Sequence, residues 1–127
     1  KWLNGETGVK DMGFVQPEDM VEMFTKSGVF VMSSRSDEWP LALVEAALSG
    51  LPIIATEVCG SAVEIVRPLY NGFIVPSDNP DDLASALVSC YEAPLRVWGE
   101  RAREHALAFT TECWADRWLD RFKREVK

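Results

Sequence analysis

Two carboxylates, Asp37 and Glu45, stand eight positions apart in the stretch Ser33-Ser-Arg-Ser-Asp-Glu-Trp-Pro-Leu-Ala-Leu-Val-Glu45. Between them Pro40 marks a helix start, and Gly50, beyond Glu45, its end, since proline suits the first helical position and glycine the residue past the last. A helix beginning there presents free backbone N–H groups and the positive end of its dipole, which together form an anion site. Ionised carboxylates accept hydrogen bonds strongly, and sugar and ribose hydroxyls donate them. An anion site beside such acceptors matches a ligand in which a phosphate is flanked by polyols, as in a nucleotide-sugar. An isolated pair of acids also has a plainer reading. Asp37 and Glu38 then serve as capping or dipole residues, and Glu45 faces solvent from the helix.

The elements that must hold these residues can be read from the apolar pattern. Lys10–Phe14 reads as a short strand. Pro17 and Glu18 open a helix with Met20, Val21, Met23 and Phe24 along it, and Gly28 closes it. Val29–Met32 is a continuous apolar run of strand length, suited to a strand buried on both faces. The polar loop Ser33–Trp39 and the helix from Pro40 to Ser49 follow. Leu51–Thr56 reads as the next strand, with Pro52 at its beginning, where a missing N–H is tolerated. Cys59-Gly60-Ser61 reads as a turn, with Ser61 capping a short helix through Val66 and Glu64 in the capping-box position. Asn71-Gly72 turns the chain into the strand Phe73–Val75. Ser77 or Asn79 caps a helix from Pro80 to Tyr91, and Pro94 breaks it. Helical pattern returns over Leu95–Phe109. A last helix runs from Thr111 to about Glu125, with Trp114, Trp118, Leu119 and Phe122 as its apolar stripe. Strands alternating with helices predict an α/β fold: a Rossmann-like parallel sheet with helices on both faces. Ligands of such sheets bind beyond the C-terminal ends of the strands. That rim is Ser33–Pro40, Glu57–Ser61 and Pro76–Asn79.

The stretch around the two acids resembles the acidic motif of retaining GT-B glycosyltransferases of the group 1 type, in which two acids bracket seven residues. Asp37 takes the first acid position, where glutamate is usual, and Glu45 the second, followed by Ala46-Ala47. Gly50-Leu51-Pro52 and the strand Ile53-Ile54-Ala55-Thr56 also fit. Glu64-Ile65-Val66, Asn71-Gly72-Phe73 and Asp78-Asn-Pro-Asp-Asp-Leu-Ala84 fit as well, so the similarity runs from about Gly13 to Phe122. Cys59-Gly60-Ser61 stands where a Gly-Gly-like turn is usual.

The resemblance implies the C-terminal half of a GT-B fold, with residues 1–127 as part of its nucleotide-sugar-binding domain. It implies transfer of a sugar to an acceptor such as a glycan, lipid or small molecule. Glu45 then accepts from the donor's ribose hydroxyls, and Asp37 lies near the hydroxyls of the transferred sugar. Backbone N–H groups around Glu38, Trp39 and Leu41 meet the sugar and distal phosphate. Pro40 removes one donor from that loop. Gly60 and Ser61 let the backbone approach the ligand closely. Trp39 is either a sugar-stacking platform or core packing. No cofactor and no metal are implied, because the nucleotide-sugar is a substrate and Asp78-Asn79-Pro80-Asp81 is placed to cap a helix. The family's Arg-(four residues)-Lys pair, which faces the donor diphosphate, is not recognisable here, nor is an N-terminal acceptor domain. Stabilisation of the leaving diphosphate depends on such cations. This chain alone is therefore expected to be inactive as an enzyme. The helices of about 95–127 are expected to pack toward that missing domain, and their tryptophans to drive self-association without it. The alternative is a non-catalytic Rossmann-like binding or scaffolding module.

Composition narrows the remaining classes. A length of 127 residues suits one domain, and the opening on Lys1 in mid-pattern reads as a fragment. The formal net charge of −7 disfavours general nucleic-acid binding. Near the C-terminus Arg117, Arg121, Lys123, Arg124 and Lys127 alternate with Asp116, Asp120 and Glu125. That pattern suits a solvated helix face with i,i+4 pairs, the other reading being a weak membrane-surface contact. Cys59, Cys90 and Cys113 are odd in number and widely spaced, against a disulfide framework or zinc site and in favour of a reducing, cytoplasmic compartment. His105, the sole histidine, lies in a charged helical stretch and reads as a surface residue. No Gly-x-Gly-x-x-Gly fingerprint supports an unrelated dinucleotide-binding fold.

Overall fold

In the computed structural model, residues 8–125 are described. Three short parallel strands form its sheet: β1 (Phe30–Met32), β2 (Ile53–Thr56) and β3 (Gly72–Val75), in the order β1-β2-β3. Phe30 stands opposite Ile53 and Met32 opposite Ala55, while Ile53 faces Gly72 and Thr56 faces Val75. The helices are α1 (Pro17–Thr25), α2 (Leu41–Leu48), α3 (Gly60–Ile65), α4 (Pro80–Glu92), α5 (Leu95–Ala106) and α6 (Thr111–Glu125). A 3-10 turn, Leu107–Phe109, joins α5 to α6.

Every residue of β2 is buried, which accounts for its unbroken apolar composition. Successive side chains of β2 enter two separate cores. Ile53 and Ala55 pack with Leu43, Val44, Ala46 and Ala47 of α2, and with Ala62 and Ile65 of α3. Ile54 packs on the other face with Val75, Ala86 and Cys90 of α4, and Trp98 of α5. Helices therefore cover both faces of the sheet, as the alternating pattern predicts. A fully buried leucine or isoleucine contributes about 2 kcal/mol, so Leu43, Ile53, Ile54 and Ile65 are the principal anchors.

Helix ends follow their sequence signals in most places. At the end of α2 the N–H of Gly50 donates to Ala47 O at 2.9 Å and that of Leu51 to Ala46 O at 3.1 Å. Gly50 has φ 82°, the left-handed residue that this type of stop requires. Asn79, rather than Ser77, caps α4: its Oδ1 accepts from the Asp82 N–H at 3.1 Å. The helix α5 crosses the end of α2 so closely that a Cβ on Gly99 would lie 1.9 Å from Gly50 O.

Two expectations differ from the structure. Lys10–Phe14 is irregular rather than a strand. Asp11 Oδ1 accepts from the Gly13 N–H at 2.8 Å, and Gly13 has φ 61°, so a local turn replaces extended chain. Ser61 does not cap α3. That helix begins at Gly60 behind Cys59, with no side-chain cap, and Ser61 is fully buried inside its first turn.

The three cysteines are free, and burial pushes the Cys90 thiol up, so it stays protonated. His105 is half-buried, its ring centroid 5.9 Å from that of Tyr70. Trp98 is buried, whereas Trp114 and Trp118 remain open to solvent. Among the described residues, no helix is long and apolar enough to cross a membrane.

Candidate functional site

The loop from Ser33 to Pro40 leaves the C-terminal end of β1 and enters α2. Four contacts from β2 and the start of α3 pin it. Thr56 Oγ1 donates to Ser34 O at 2.7 Å. The N–H of Gly60 donates to Asp37 O at 3.0 Å, and Asp37 and Cys59 form an isolated parallel bridge. The buried Ser61 Oγ donates to Pro40 O at 3.3 Å. A Cβ on Gly60 would lie 1.9 Å from Glu38 O. The missing side chain at Gly60 therefore admits another segment of this chain: two loops pass at backbone distance.

This clamp aims the start of α2 at the rim. Pro40 precedes the helix with φ −65° and ψ 108°, and no side chain caps it. The Leu43 N–H turns back to Pro40 O at 3.2 Å. The N–H groups of Leu41 and Ala42 precede the first intrahelical bonds, and Leu41 is 65% exposed. An uncapped helix end with free N–H groups favours an anion. Asp37 is half-buried and Glu38 exposed, so this loop carries two neighbouring carboxylates that solvent reaches to different degrees. Trp39 packs at a tilt on Phe109, ring centroids 5.6 Å apart, and remains 43% exposed. Both readings of Trp39 thus keep a physical basis: one part of the indole packs and another meets solvent.

Asp37, Glu38, Pro40, Gly60 and Ser61 are joined by these backbone contacts. Glu45 lies apart from them. It is exposed on α2 and lines an open groove of about 580 Å3 between α1 and α2, with Phe14, Met20, Phe24 and Leu48 as apolar walls. An acceptor beside apolar walls can take a hydroxyl-bearing ring that also carries a flat apolar face.

On the far side of the rim, Arg35 Nε and Asp78 Oδ1 pair at 2.7 Å, linking the loops after β1 and β3. Both side chains are exposed, so the pair contributes little to stability. It borders a second groove of about 370 Å3 lined by Ser33, Thr56 and Asn79. Arg35 is thereby engaged by a carboxylate. Sequence reasoning overlooked Thr56, Phe109, Phe14 and Met20. Only Thr56 carries a local signal, a hydroxyl at the C-terminal end of an otherwise apolar strand. The others are brought to the site by packing.

Residues 2–105 match the family described as glycosyl transferases group 1. A D-inositol 3-phosphate glycosyltransferase of Streptomyces bingchenggensis is 33% identical over 113 residues, 84% of this chain and 25% of that protein. An exopolysaccharide phosphotransferase of Streptomyces coelicolor is 30% identical over 112 residues, 86% of this chain and 12% of that protein. Sucrose-phosphate synthase from Thermosynechococcus elongatus shares the fold with TM-score 0.80 and 26% identity, over 93% of this chain and 30% of that one. The chain thus spans about a third or less of the length of each of these proteins. With most of its length matched in the order its motifs run, the chain belongs to the glycosyl transferases group 1 family, and its fold is that of a GT-B glycosyltransferase domain.

Proposed function

We propose that this chain is the donor half-site of a glycosyltransferase and binds the nucleoside diphosphate of a nucleotide-sugar at the rim where β1 passes into α2. The observation that carries this reading is the uncapped start of α2, held at the rim by Gly60 and Ser61. The distal phosphate meets the N–H groups at Leu41 and Ala42 and the loop backbone at Glu38 and Trp39. Asp37 accepts from hydroxyls of the transferred sugar. Glu45 accepts from the ribose, with the groove along α1 taking the base against Phe14 and Met20. Gly60 and Ser61 hold the loop in place. The reading calls for no metal, because the helix end and loop amides take the phosphate charge.

Group transfer itself requires more than this chain. The breaking glycosidic bond leaves its electron pair on the diphosphate, and cations supplied from elsewhere in the protein stabilise that charge. The acceptor, whether a glycan, a lipid or a small molecule, is bound by a further domain. Retention of anomeric configuration follows from the family's usual chemistry.

The test is a calorimetric titration of the chain and of Glu45→Ala with UDP, GDP and ADP. The expected result is saturable binding of one nucleotide, weakened at least about tenfold by the substitution, the loss of a hydrogen bond from a charged acceptor. Equal binding by both proteins would remove Glu45 from the site. A complete protein that turns over no donor would favour a binding module that kept the fold without the chemistry.

A further inference from the structure

The 3-10 turn between α5 and α6 reaches the acidic loop at one place. Phe109, the last residue of that turn, is half-buried and packs on the core formed by α2, α3 and α5. Its ring meets Trp39 at 5.6 Å between centroids and an interplanar angle of 54°. Trp39 precedes Pro40, and a residue before proline is confined to extended backbone. The short run from Asp37 to Pro40 is therefore stiff. Where the Trp39 indole is held, the carbonyls of Asp37 and Pro40 are held with it. Those carbonyls are the acceptors for the Gly60 N–H and the Ser61 hydroxyl.

The turn that carries Phe109 is itself braced. Leu107 O accepts from the Thr110 N–H at 3.4 Å and from Thr110 Oγ1 at 3.2 Å. Thr110 Oγ1 in turn accepts from the Cys113 N–H at 3.4 Å. Arg117, in the second turn of α6, donates to Ala108 O at 2.6 Å. The start of α6, the turn and the acidic loop form one connected chain of contacts.

We propose that Phe109 is a positioning residue for the acidic loop: it seats Trp39 and so sets the backbone from Asp37 to the start of α2. Its part in donor binding rests on the function proposed above. Phe109 touches no ligand in this scheme. It acts through Trp39, and its effect reaches the phosphate-facing amides by way of the loop.

Amide hydrogen exchange on the chain, on Phe109→Ala and on Phe109→Tyr tests the coupling without any ligand. The Gly60 N–H reports whether the loop is seated, and the Ile54 and Ala55 N–H groups of β2 report the stability of the whole domain. Phe109→Ala is expected to speed exchange at Gly60 about fivefold beyond any change in β2, the scale of one lost aromatic pair. Phe109→Tyr, which keeps the ring, is expected to restore it. No change at Gly60, or a change only in step with β2, overturns the proposal. Titration of the same three proteins with UDP, GDP and ADP tests the role in binding. Affinity lowered in Phe109→Ala and restored in Phe109→Tyr supports it, and equal affinity overturns it. If the unaltered chain binds none of the three, the donor reading fails for this chain, and the exchange rates alone decide whether Phe109 seats the loop.

Discussion

The acidic loop with α2 and the C-terminal helix α6 use similar residue types and differ sharply in burial. Both contain tryptophan, leucine and acidic residues. Leu43, Val44, Ala46 and Ala47 of α2 are buried, and four contacts from β2 and α3 fix the loop ahead of it. No residue of α6 is buried. Trp114, Trp118, Leu119 and Phe122 are each about half exposed, and the Trp118 ring packs between those of Trp114 and Phe122 along the helix, with centroids 5.9 and 5.7 Å apart. Its charged face carries the i,i+4 pair of Arg121 and Glu125 at 3.3 Å. An apolar stripe is thus evidence for helix type in both places, and burial is decided by what the rest of the protein brings to it.

The largest effect should come from the α2 side. Leu43→Ala removes a side chain with no solvent exposure and should cost about 3 kcal/mol in urea unfolding. A cost under about 1 kcal/mol would mean that α2 is not the anchor described. Gly60→Ala should follow at about 2 kcal/mol, because the added Cβ meets the Glu38 carbonyl, a backbone atom with little freedom to move. A neutral Gly60→Ala protein would show that the clamp on the acidic loop is loose. The smallest effect belongs to α6. Leu119→Ala should change stability by less than about 0.5 kcal/mol, and a cost near that of Leu43→Ala would erase the contrast.

Much of this architecture was legible because its signals are local. The apolar runs at Val29–Met32 and Leu51–Thr56, Pro40 before α2, Gly50 after it, and Asn79 before α4 all act through neighbours in sequence. Of the two misreadings, one has a tertiary cause and the other a local one. Ser61 is a common capping residue, yet Gly60 gives its N–H to Asp37 and α3 starts there, turning Ser61 inward to Pro40. Lys10–Phe14 contains Asp11 and Gly13, residues common in turns and depleted in strands, and the turn they form replaces the extended chain expected there. In the site, the acids and the helix start were readable from spacing and resemblance. The partner of Trp39 was not, because Phe109 lies far along the chain and only packing brings it near. The separation of Glu45 from the Asp37 cluster was equally hidden, since its groove is walled by residues of α1 and the segment before it.

The parallel register of the sheet has a consequence for how the chain assembles. No hairpin exists in it: Phe30 meets Ile53, and Ile53 meets Gly72, each across about twenty residues. Closing such loops costs entropy before any strand contact repays it. Folding must wait for α2 and α3 to pack while the strands find each other, so this domain should refold more slowly than a helical bundle of the same length. During that interval the apolar strand β2, which ends with both faces covered, is a naked edge, and protein concentration during refolding becomes a determinant of yield.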